Sequence, residues 1–318
     1  MKRQEIDTLI IGAGMAGLSC ATRLAREGDE VCVLDKGRGP GGRMASRRAQ
    51  VAGETLSFDH GAQYFTARDP RFKSVVEGWE AQGAVARWPA AGEDAWVGTP
   101  GMNGPIRAMA QGLDVRWNTR VEAISYTKSR WHVDAGDEHF CAVALLVAVP
   151  AEQARVLLEP IAPVWAREIA AASSEPCWAV MVAFAEPLGI AADTLRDPQA
   201  PISWAARNSA KPGRSGTECW VLHASPQRSR EIIDLPPDEV GPSLLDDFFR
   251  QTGTAPVAPI HLAAHRWLYA MVDPIPGDPA RYDVEIAFGL AGDYLHSPRV
   301  EGAWLSGNAL ADKVLWYL

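Results

Sequence analysis

The sequence predicts an α/β protein that combines a parallel, Rossmann-type sheet with a second, antiparallel sheet. Three observations predict it. A glycine-rich turn follows an apolar segment near the start of the 318-residue chain, and a second segment rich in glycine lies near its end. Between them, from Pro176 to Val272, short apolar segments alternate with loops rich in proline and glycine. We therefore expect the two ends to fold together as one discontinuous domain and the middle to form another.

The first segment predicts a strand, a turn and a helix. Ile6 to Ile11 is apolar apart from Asp7 and Thr8, as in a buried parallel strand. The following helix should run from Met15 to Glu27, and Gly28 supplies its C-cap. A strand that leads through a glycine turn into a helix is typical of dinucleotide-binding folds.

The three glycines of the turn have separate physical roles. Gly12 permits the tight turn, Gly14 lets the backbone approach a pyrophosphate, and Gly17 lets the helix pack close to the strand. The helix N-terminus offers free N–H groups and a positive dipole end to phosphates. The next strand, Val31 to Leu34, ends at Asp35, which is placed to accept hydrogen bonds from ribose hydroxyls. The pattern predicts a dinucleotide site, and a glycine turn without a ligand is the alternative.

Glycine and arginine dominate the residues that follow Asp35. The segment from Arg38 to Met44 contains Gly-Gly-Arg. Glycines allow a close approach of the backbone, and a guanidinium suits the geometry of a phosphate. With this motif the sequence resembles the flavin amine-oxidase superfamily, in which the segment crosses the pyrophosphate and its arginine, here Arg43, reaches the cofactor. Arg47 and Arg48 fit a solvated face equally well.

Two further segments extend the resemblance. Phe58 to Phe65 suits a strand end that passes an isoalloxazine ring, and a C-terminal helix is expected from about Gly302 to Trp316. Together with Gly-Gly-Arg-Met and the segment from Val300 to Asp312, they make the sequence most similar to the renalase family, its bacterial branch in particular. The resemblance implies FAD, and no cysteine suggests a covalent link to it.

The resemblance also implies which residues hold FAD. Asp293 would meet the phosphate and ribityl region, and Val121 would lie near the adenine. The first N–H groups of the last helix would point at flavin N1 and C2=O, where a helix N-terminus stabilises the negative charge of reduced flavin. The implied FAD-binding residues are Gly12, Ala13, Gly14, Met15, Ala16, Gly17, Asp35, Lys36, Arg43, Met44, His60, Gly61, Ala62, Val121, Asp293, Gly302 and Ala303.

The bulk composition is that of a soluble globular protein, with 47% apolar and 22% charged residues. A net charge of -8 argues against nucleic acid and anionic membranes as partners. No apolar run is long enough to span a membrane, and Met1 to Glu5 lacks the apolar stretch of a signal peptide. Five cysteines without a C-x-x-C pattern favour reduced thiols and a cytoplasmic location. We expect no metal site.

The pattern of segments also predicts how the domains are divided. The FAD-binding domain is expected to comprise residues 1–70, 108–160 and 285–318, and the substrate domain residues 71–107 and 161–284. A meander from Val115 to Val149 should follow the Rossmann unit, with one strand from Val121 to Tyr126. The strands expected in the substrate domain are Cys177 to Phe184, Ile202 to Ala206, Glu218 to Ala224 and His261 to Met271, with a helix from Asp238 to Thr252. The substrate cavity should lie between the two sheets.

Candidates for the cavity wall carry aromatic or polar side chains near predicted turns and strands. Trp267 and Tyr269 are two residues apart on one strand, so they share a face and could sandwich a flat ring. Packing in the core would explain each candidate as well, and a satisfied core histidine is an equal interpretation for His223. The candidates are Tyr64, Trp96, Asn103, Trp178, His223, Trp267 and Tyr269.

One position departs from the amine-oxidase pattern. Many members of that superfamily carry a lysine on a substrate-domain strand, linked through water to flavin N5. Aligning the strand end from Phe184 to Pro187 with theirs puts Ala179 where that lysine would be. None of the six lysines of the chain lies on a predicted cavity strand. This departure argues against amine oxidation.

The resemblance implies a FAD-dependent oxidase that converts 2- or 6-dihydro-NAD(P) isomers to NAD(P)+. Hydride would pass to flavin N5, and O2 would then be reduced to hydrogen peroxide, so the partners are a small-molecule dinucleotide and O2. No general base is needed, because a neutral dihydropyridine becomes a cation when hydride leaves. Two alternatives stay open: an amine oxidase or desaturase of the same fold, and a flavin-bound redox sensor without turnover. The preferred isomer, the choice between NAD and NADP forms and the oligomeric state also stay open.

Overall fold

The computed structural model describes residues 4–51, 53–214 and 216–317. The strands in these ranges are β1 (Gln4–Ile11), β2 (Val31–Leu34), β3 (Ser46–Val51), β4 (Glu54–Asp59), β5 (Phe65–Thr66), β6 (Val85–Arg87), β7 (Ala95–Gly98), β8 (Asp114–Arg116), β9 (Ala123–Thr127), β10 (Arg130–Ala135), β11 (Glu138–Val147), β12 (Ser173–Phe184), β13 (Thr194–Arg196), β14 (Ile202–Arg207), β15 (Glu218–Ala224), β16 (His261–Asp273), β17 (Ala280–Asp283) and β18 (Phe288–Ala291). The helices are α1 (Met15–Arg26), α2 (Pro70–Ala81), α3 (Gly104–Ala110), α4 (Ala151–Leu158), α5 (Pro163–Ile169), α6 (Pro226–Glu231), α7 (Pro237–Thr252) and α8 (Val300–Tyr317).

The larger sheet brings the two ends of the chain together. Its strand order is β17-β18-β11-β1-β2-β8, with β10 and β9 continuing from β11. β1 runs parallel to β2 and β11, and β18 returns parallel to β11. Alternate residues of β1 enter different cores: Ile10 faces α1 and α8, whereas Leu9 and Ile11 face α4 and α5. Helices on both faces explain why this strand is apolar almost throughout.

The second sheet is antiparallel, with the order β13-β14-β15-β12-β16. One face packs on α7 through residues such as Val180 and Phe248. Part of the other face, including Met181, packs against Phe58 of the hairpin formed by β3 and β4. The predicted fold class is therefore confirmed, together with the four strands and the long helix expected in this region.

Two details of the predicted meander are wrong. β8 pairs in parallel with β2 instead of joining β9, because the partner of a three-residue strand depends on long-range packing. Val121 was expected in a strand, but β9 begins at Ala123. Val121 itself lies half-buried against the core of the larger sheet.

Part of the segment from residue 71 to residue 107, which is expected in the substrate domain, packs against the larger sheet. Phe72 of α2, Trp96 of β7 and Ile106 of α3 share one hydrophobic cluster with α1 and α8. The ring centroids of Phe72 and Trp304 are 5.3 Å apart. The apolar sides of α2 and α3 thus complete the core of the larger sheet. Among the described residues, no helix has the length and apolar character needed to cross a bilayer.

Candidate active site

The glycine turn between β1 and α1 encloses an open space. Gly12 has φ +107°, and a Cβ added to it would lie 2.5 Å from the Ala148 carbonyl oxygen. A Cβ on Gly17 would lie 1.8 Å from the Gly12 oxygen, so close packing demands glycine there. A Cβ on Gly14, by contrast, would meet no heavy atom of the described chain within 4 Å. The turn is crowded at Gly12 and Gly17 and free at Gly14, which is the shape that a bound pyrophosphate requires.

The acidic residue after β2 is held beside this turn. Asp35 accepts hydrogen bonds from the backbone N–H of Ala13, at 2.7 Å, and of Gly37, at 2.6 Å. Its carboxylate is half-buried and keeps lone pairs for a ribose. Lys36 is exposed and donates to the Gln153 side chain at 2.8 Å. Asp35 is thus oriented toward the turn, whereas Lys36 is not.

The two ends of the chain meet in a bidentate ion pair. Nη1 and Nη2 of Arg43 donate to the two carboxylate oxygens of Asp293, at 2.8 and 2.7 Å, across 250 positions of sequence. Asp293 is buried, and it begins the short 3₁₀ turn that follows β18. Fork-to-fork contacts of this kind fix both side chains in orientation. The Gly-Gly-Arg segment and the closing segment therefore border the same space.

The last helix starts close to this pair. A Cβ on Gly302 would lie 2.3 Å from the Ser297 oxygen, so the first turn of α8 is tightly folded on the preceding loop. The side chain of Glu301 accepts from the backbone N–H groups of Arg68 and Asp69, both at 2.6 Å. Ala303 follows in the first turn and is nearly buried. The helix start is thereby fixed in place.

The segment after β4 rests directly on the Gly-Gly-Arg segment. Ala62 donates its backbone N–H to the Arg43 oxygen at 2.8 Å, and a Cβ on Gly61 would lie 2.1 Å from that oxygen. Buried Met44 and Ala16 complete the apolar base of the site. His60 is buried, and its Nδ1 has no partner among the described residues. Burial, together with His265 and Arg47, lowers the pKa of His60 to about 4, so its ring is neutral at pH 7.

The antiparallel sheet presents a row of rings to this segment. Register places Trp204, His223, Ala179 and His265 side by side across β14, β15, β12 and β16, on one face. Trp267 lies two residues further along β16, hence on the same face. The row has one small member, Ala179, which is fully buried between the two histidines.

Contacts show that this face lies over the segment after β4. The Trp267 indole N–H donates to the His60 oxygen at 2.8 Å, and the two rings stack with centroids 5.1 Å apart. Tyr64 packs against Trp204 with ring centroids 5.3 Å apart. Tyr64, His223 and Trp267, three of the predicted cavity residues, are therefore brought together. Tyr269 is half-buried and lies where the register between β12 and β16 shifts.

Three predicted cavity residues lie elsewhere. Trp178 is wrong as a cavity residue: it is one position from Ala179, so it faces α7, where its indole donates to the Ile232 oxygen at 3.2 Å. Trp96 is buried in the core of the larger sheet, with the Arg87 guanidinium 3.9 Å from its ring. Asn103 donates to the Pro40 oxygen at 3.0 Å and so supports the Gly-Gly-Arg segment. None of the three faces the row of rings.

The structure contains a buried cluster of charged side chains that the sequence pattern did not predict. Lys211 is fully buried, and its ammonium lies 3.2 Å from Asp59 Oδ2 and 3.1 Å from Gln63 Oε1. Arg214 also binds Asp59, whose other oxygen accepts from Ser46 and Met102. Asp59 and Lys211 are 152 positions apart, so the sequence does not link them directly. The one available signal was that two cations, Lys211 and Arg214, follow the predicted strand from Ile202 to Ala206.

The charges of the cluster shift its pKa values in opposite directions. Burial alone would raise the pKa of Asp59, but Lys211, Arg214 and the hydrogen bonds it accepts lower it to about 2. Burial lowers the pKa of Lys211 to about 8, against the opposing effect of Asp59. At pH 7 the cluster therefore contains one carboxylate and two cations.

The contacts of Gln63 and His60 indicate which nitrogen of the neighbouring His223 carries the proton. Because Gln63 Oε1 faces the ammonium, its Nε2 must point the other way, where it donates to the backbone oxygens of Asp59 and Gly61. Both N–H bonds are then used. His223 Nε2, 3.3 Å from the His60 oxygen, is therefore the donor to that oxygen. Burial lowers the pKa of His223 to about 4, so the ring is neutral and Nδ1 is left as an acceptor.

Comparison with known proteins agrees with this geometry. Residues 10–79 match the model of the NAD(P)-binding Rossmann-like domain, and residues 86–315 match that of the flavin containing amine oxidoreductases. The chain belongs to the flavin containing amine oxidoreductase family. Its cofactor is FAD, as the sequence predicted. The open space at Gly14, and the Nδ1 of buried His60, which has no partner among the residues that the structure describes, show that the residues present fit this group.

Solved structures of the family share the fold at low identity. A protein from Exiguobacterium sp. 255-15, provisionally named protoporphyrinogen oxidase, superposes with a TM-score of 0.77 at 13% identity over 100% of both chains. A triple mutant of putrescine oxidase gives the same TM-score, identity and coverage. Cyclohexylamine oxidase from Brevibacterium oxydans IH-35A gives 0.65 at 14% identity, over 98% of this chain and 99% of that one. At such identities the likeness shows the fold alone.

A curated relative matches over a short stretch. The zeta-carotene-forming phytoene desaturase of Myxococcus xanthus is 49% identical over 47 residues. The aligned stretch covers 15% of this chain and 9% of that protein. So short a match carries no argument about the activity of the whole chain.

Proposed function

We propose that this protein is a FAD-dependent oxidase of dihydro-NAD(P) isomers that carry the extra hydride at ring position 2 or 6, as in the renalases that its sequence resembles. The products would be NAD(P)+ and hydrogen peroxide. The observation that carries the proposal is the row of rings over the segment from His60 to Tyr64, with Ala179 and no lysine at its centre. Five cysteines without a C-x-x-C pattern favour reduced thiols and a cytoplasmic setting.

The protonation states of the site suit hydride removal. When bound, FAD would supply the hydride acceptor and the two-electron chemistry with O2. A neutral dihydropyridine that loses hydride becomes the cationic pyridinium, so no proton acceptor is required. His60 and His223 have pKa values of about 4 and are neutral at pH 7, which avoids repulsion of the pyridinium that forms. The ammonium of Lys211 is engaged by Asp59 and Gln63.

The same face has the groups that a dihydronicotinamide needs. Tyr64, Trp204 and Trp267 provide flat apolar surfaces for a ring. The acceptor Nδ1 of His223 suits the N–H donors of a carboxamide. We assign this recognition to His223, and we expect nicotinate dinucleotides, which carry a carboxylate in place of the carboxamide, to bind more weakly.

We assign FAD to the space between Gly14, Asp35, the Arg43–Asp293 pair and the start of α8. The link is expected to be non-covalent, so acid precipitation should release FAD and leave colourless protein. Colour that stays with the precipitate, or release of FMN, would contradict this assignment.

Anaerobic stopped-flow absorbance tests the activity. We expect rapid loss of the flavin band with 2- or 6-dihydro-NAD(P) and slow loss with the ordinary 4-dihydro form. Hydride transfer needs the donor carbon about 3–3.5 Å from the acceptor, and a ~1 Å misplacement is costly. Reduction by NADH at an equal or greater rate would refute the isomer specificity. If no isomer reduces the flavin, the protein is a sensor or scaffold.

One observation favours amine oxidation as the second candidate. Lys211 is a buried lysine beneath the site, although it comes from a loop and not from the strand of Ala179. Amines such as putrescine and benzylamine are therefore included in the same experiment. Rapid flavin reduction by an amine, with none by the dihydro isomers, would replace the leading proposal.

A further inference from the structure

A cavity that is separate from the row of rings lies between the β3–β4 hairpin, the turn that enters α3 and the loop from β14 to β15. Its volume is about 240 Å³. The residues that matter here, which we call the arginine cleft, are Ser46, Arg48, Arg107, Asn208, Ser209 and Arg214. No carboxylate is among the described residues that line it. This composition contrasts with the net charge of the chain, which is -8.

Two of the three arginines are free to bind a ligand. Arg48 and Arg107 are exposed, and neither forms an ion pair with a described residue. Ser209 accepts from the backbone N–H of Cys219, which leaves its hydroxyl proton available. The cleft therefore offers guanidinium and hydroxyl donors without a competing acid on its wall.

The third arginine is buried and only partly satisfied. The Arg214 side chain is 4% exposed, and it donates to Asp59 and to the backbone oxygens of Gly98 and Pro212. Its Nε is buried and has no partner among the described residues. An unsatisfied buried donor on a charged group is costly. Arg214 thus has one N–H available to an acceptor that is not part of the described chain.

The buried cluster behind Arg214 has an excess of positive charge. Asp59 and Lys211 have side chains that are 0% exposed, and Asp59 is the one carboxylate that faces the two cations within the described ranges. Uncompensated charge in a protein interior is strongly unfavourable. An anion in the adjoining cleft would balance it.

We propose that the arginine cleft binds a phosphate group. Planar guanidinium groups match the oxygens of a phosphate, and serine hydroxyls supply further donors. The cavity is smaller than the usual ~300–1,000 Å³ of small-molecule sites, so it suits phosphate or pyrophosphate and not a whole dinucleotide.

Two sources would supply this chemistry. Free phosphate or pyrophosphate could bind by itself, or the cleft could receive a phosphate of a dinucleotide whose ring lies at the flavin. The second source rests on the proposed function, and the first does not. Binding of inorganic anions therefore tests the site independently of the dihydro-NAD(P) activity.

The test is calorimetric titration of the FAD-loaded protein with inorganic pyrophosphate and with phosphate, at constant ionic strength. We expect saturable binding that the double variant R48Q/R107Q weakens at least tenfold. The matched control is R155Q/R167Q, which removes the same charge from two exposed arginines outside the cleft. Circular dichroism and the flavin spectrum check that all the proteins are folded and loaded.

The outcomes separate the two sources. If pyrophosphate competes with NADP+ and R48Q/R107Q weakens both, the cleft holds a phosphate of the dinucleotide. If R48Q/R107Q weakens the binding of the inorganic anions and leaves the binding of NADP+ unchanged, the cleft binds free phosphate. No saturable binding of either anion to the wild type, or equal weakening by the control variant, overturns the proposal.

Discussion

The nucleotide end and the ring end of the site are built in different ways. At the nucleotide end, Gly12 to Gly17 and Asp35 come from one continuous stretch, and backbone geometry decides the shape. At the ring end, Trp204, His223, Ala179 and His265 come from four strands spread over the chain. A change at the nucleotide end should therefore alter cofactor binding or folding outright, whereas a change at the ring end should alter protonation and specificity.

The largest effects are expected inside the glycine turn. Gly17→Val should abolish folding, because its Cβ would lie 1.8 Å from the Gly12 oxygen. Gly14→Val should keep the fold and lose FAD, because its side chain would enter space that no atom of the described residues occupies. Circular dichroism and flavin absorbance on the same sample decide both. A Gly14→Val protein that retains full flavin would show that the pyrophosphate lies elsewhere.

The buried cluster should make the protein sensitive to acid. The pKa of Asp59 is about 2 in the folded state, against its ordinary value of 3.8, so the unfolded state binds more protons between these values. Asp59 should therefore contribute roughly 2 kcal/mol to the free energy of unfolding above about pH 4. This contribution should be lost as the pH falls toward about 2.

Urea unfolding between pH 2 and pH 5 measures this contribution. Asp59→Asn should flatten the pH dependence, whereas Asp94→Asn, at an exposed carboxylate, should leave it unchanged. An identical slope for Asp59→Asn and the wild type would mean that Asp59 is not held ionised by Lys211 and Arg214. The β-sheet signal of each variant at pH 7 is the control for folding.

At the ring end, removing the Lys211 ammonium should have a smaller effect, which is a change in the tautomer and the pKa of His223. In the wild type, ¹⁵N NMR should show His223 as the neutral Nε2–H tautomer at pH 7. In Lys211→Met the Gln63 amide is no longer oriented, and we expect a mixture of tautomers. The pKa of His223 should rise from about 4, since Lys211 contributes to lowering it. An unchanged tautomer in the variant would show that the His60 oxygen alone orients the ring.

The smallest effect is expected at Ala179, where a substitution should leave amine oxidation absent. Ala179→Lys should create no amine oxidation, because the position is fully buried between His223 and His265 and has no carboxylate partner in the register. Ala179→Met, of similar length and without charge, is the matched control. Flavin reduction by benzylamine under nitrogen, seen in Ala179→Lys and absent in Ala179→Met, would show that the missing lysine alone separates this chain from amine oxidases.

The features that depend on near neighbours in the chain could be predicted from the amino-acid sequence. The strand, glycine turn, helix and acid from Ile6 to Asp35 are predicted correctly, because each depends on side-chain periodicity and glycine geometry over a few residues. The motifs at the two ends were also enough to predict FAD and the flavin amine-oxidase superfamily. The strands of the second sheet followed from their apolar patterns and from the loops that separate them.

Which side-chain faces and which charges meet depends on how the chain packs in three dimensions. Trp178 and His223 are both plausible cavity residues in sequence, but a shift of one residue turns Trp178 to α7. Lys211 lies in a loop with no buried pattern around it, and its role depends on Asp59, which folding brings to it across 152 positions. Local patterns specify secondary structure, whereas the cost of leaving a buried charge unpaired acts only once the chain has packed.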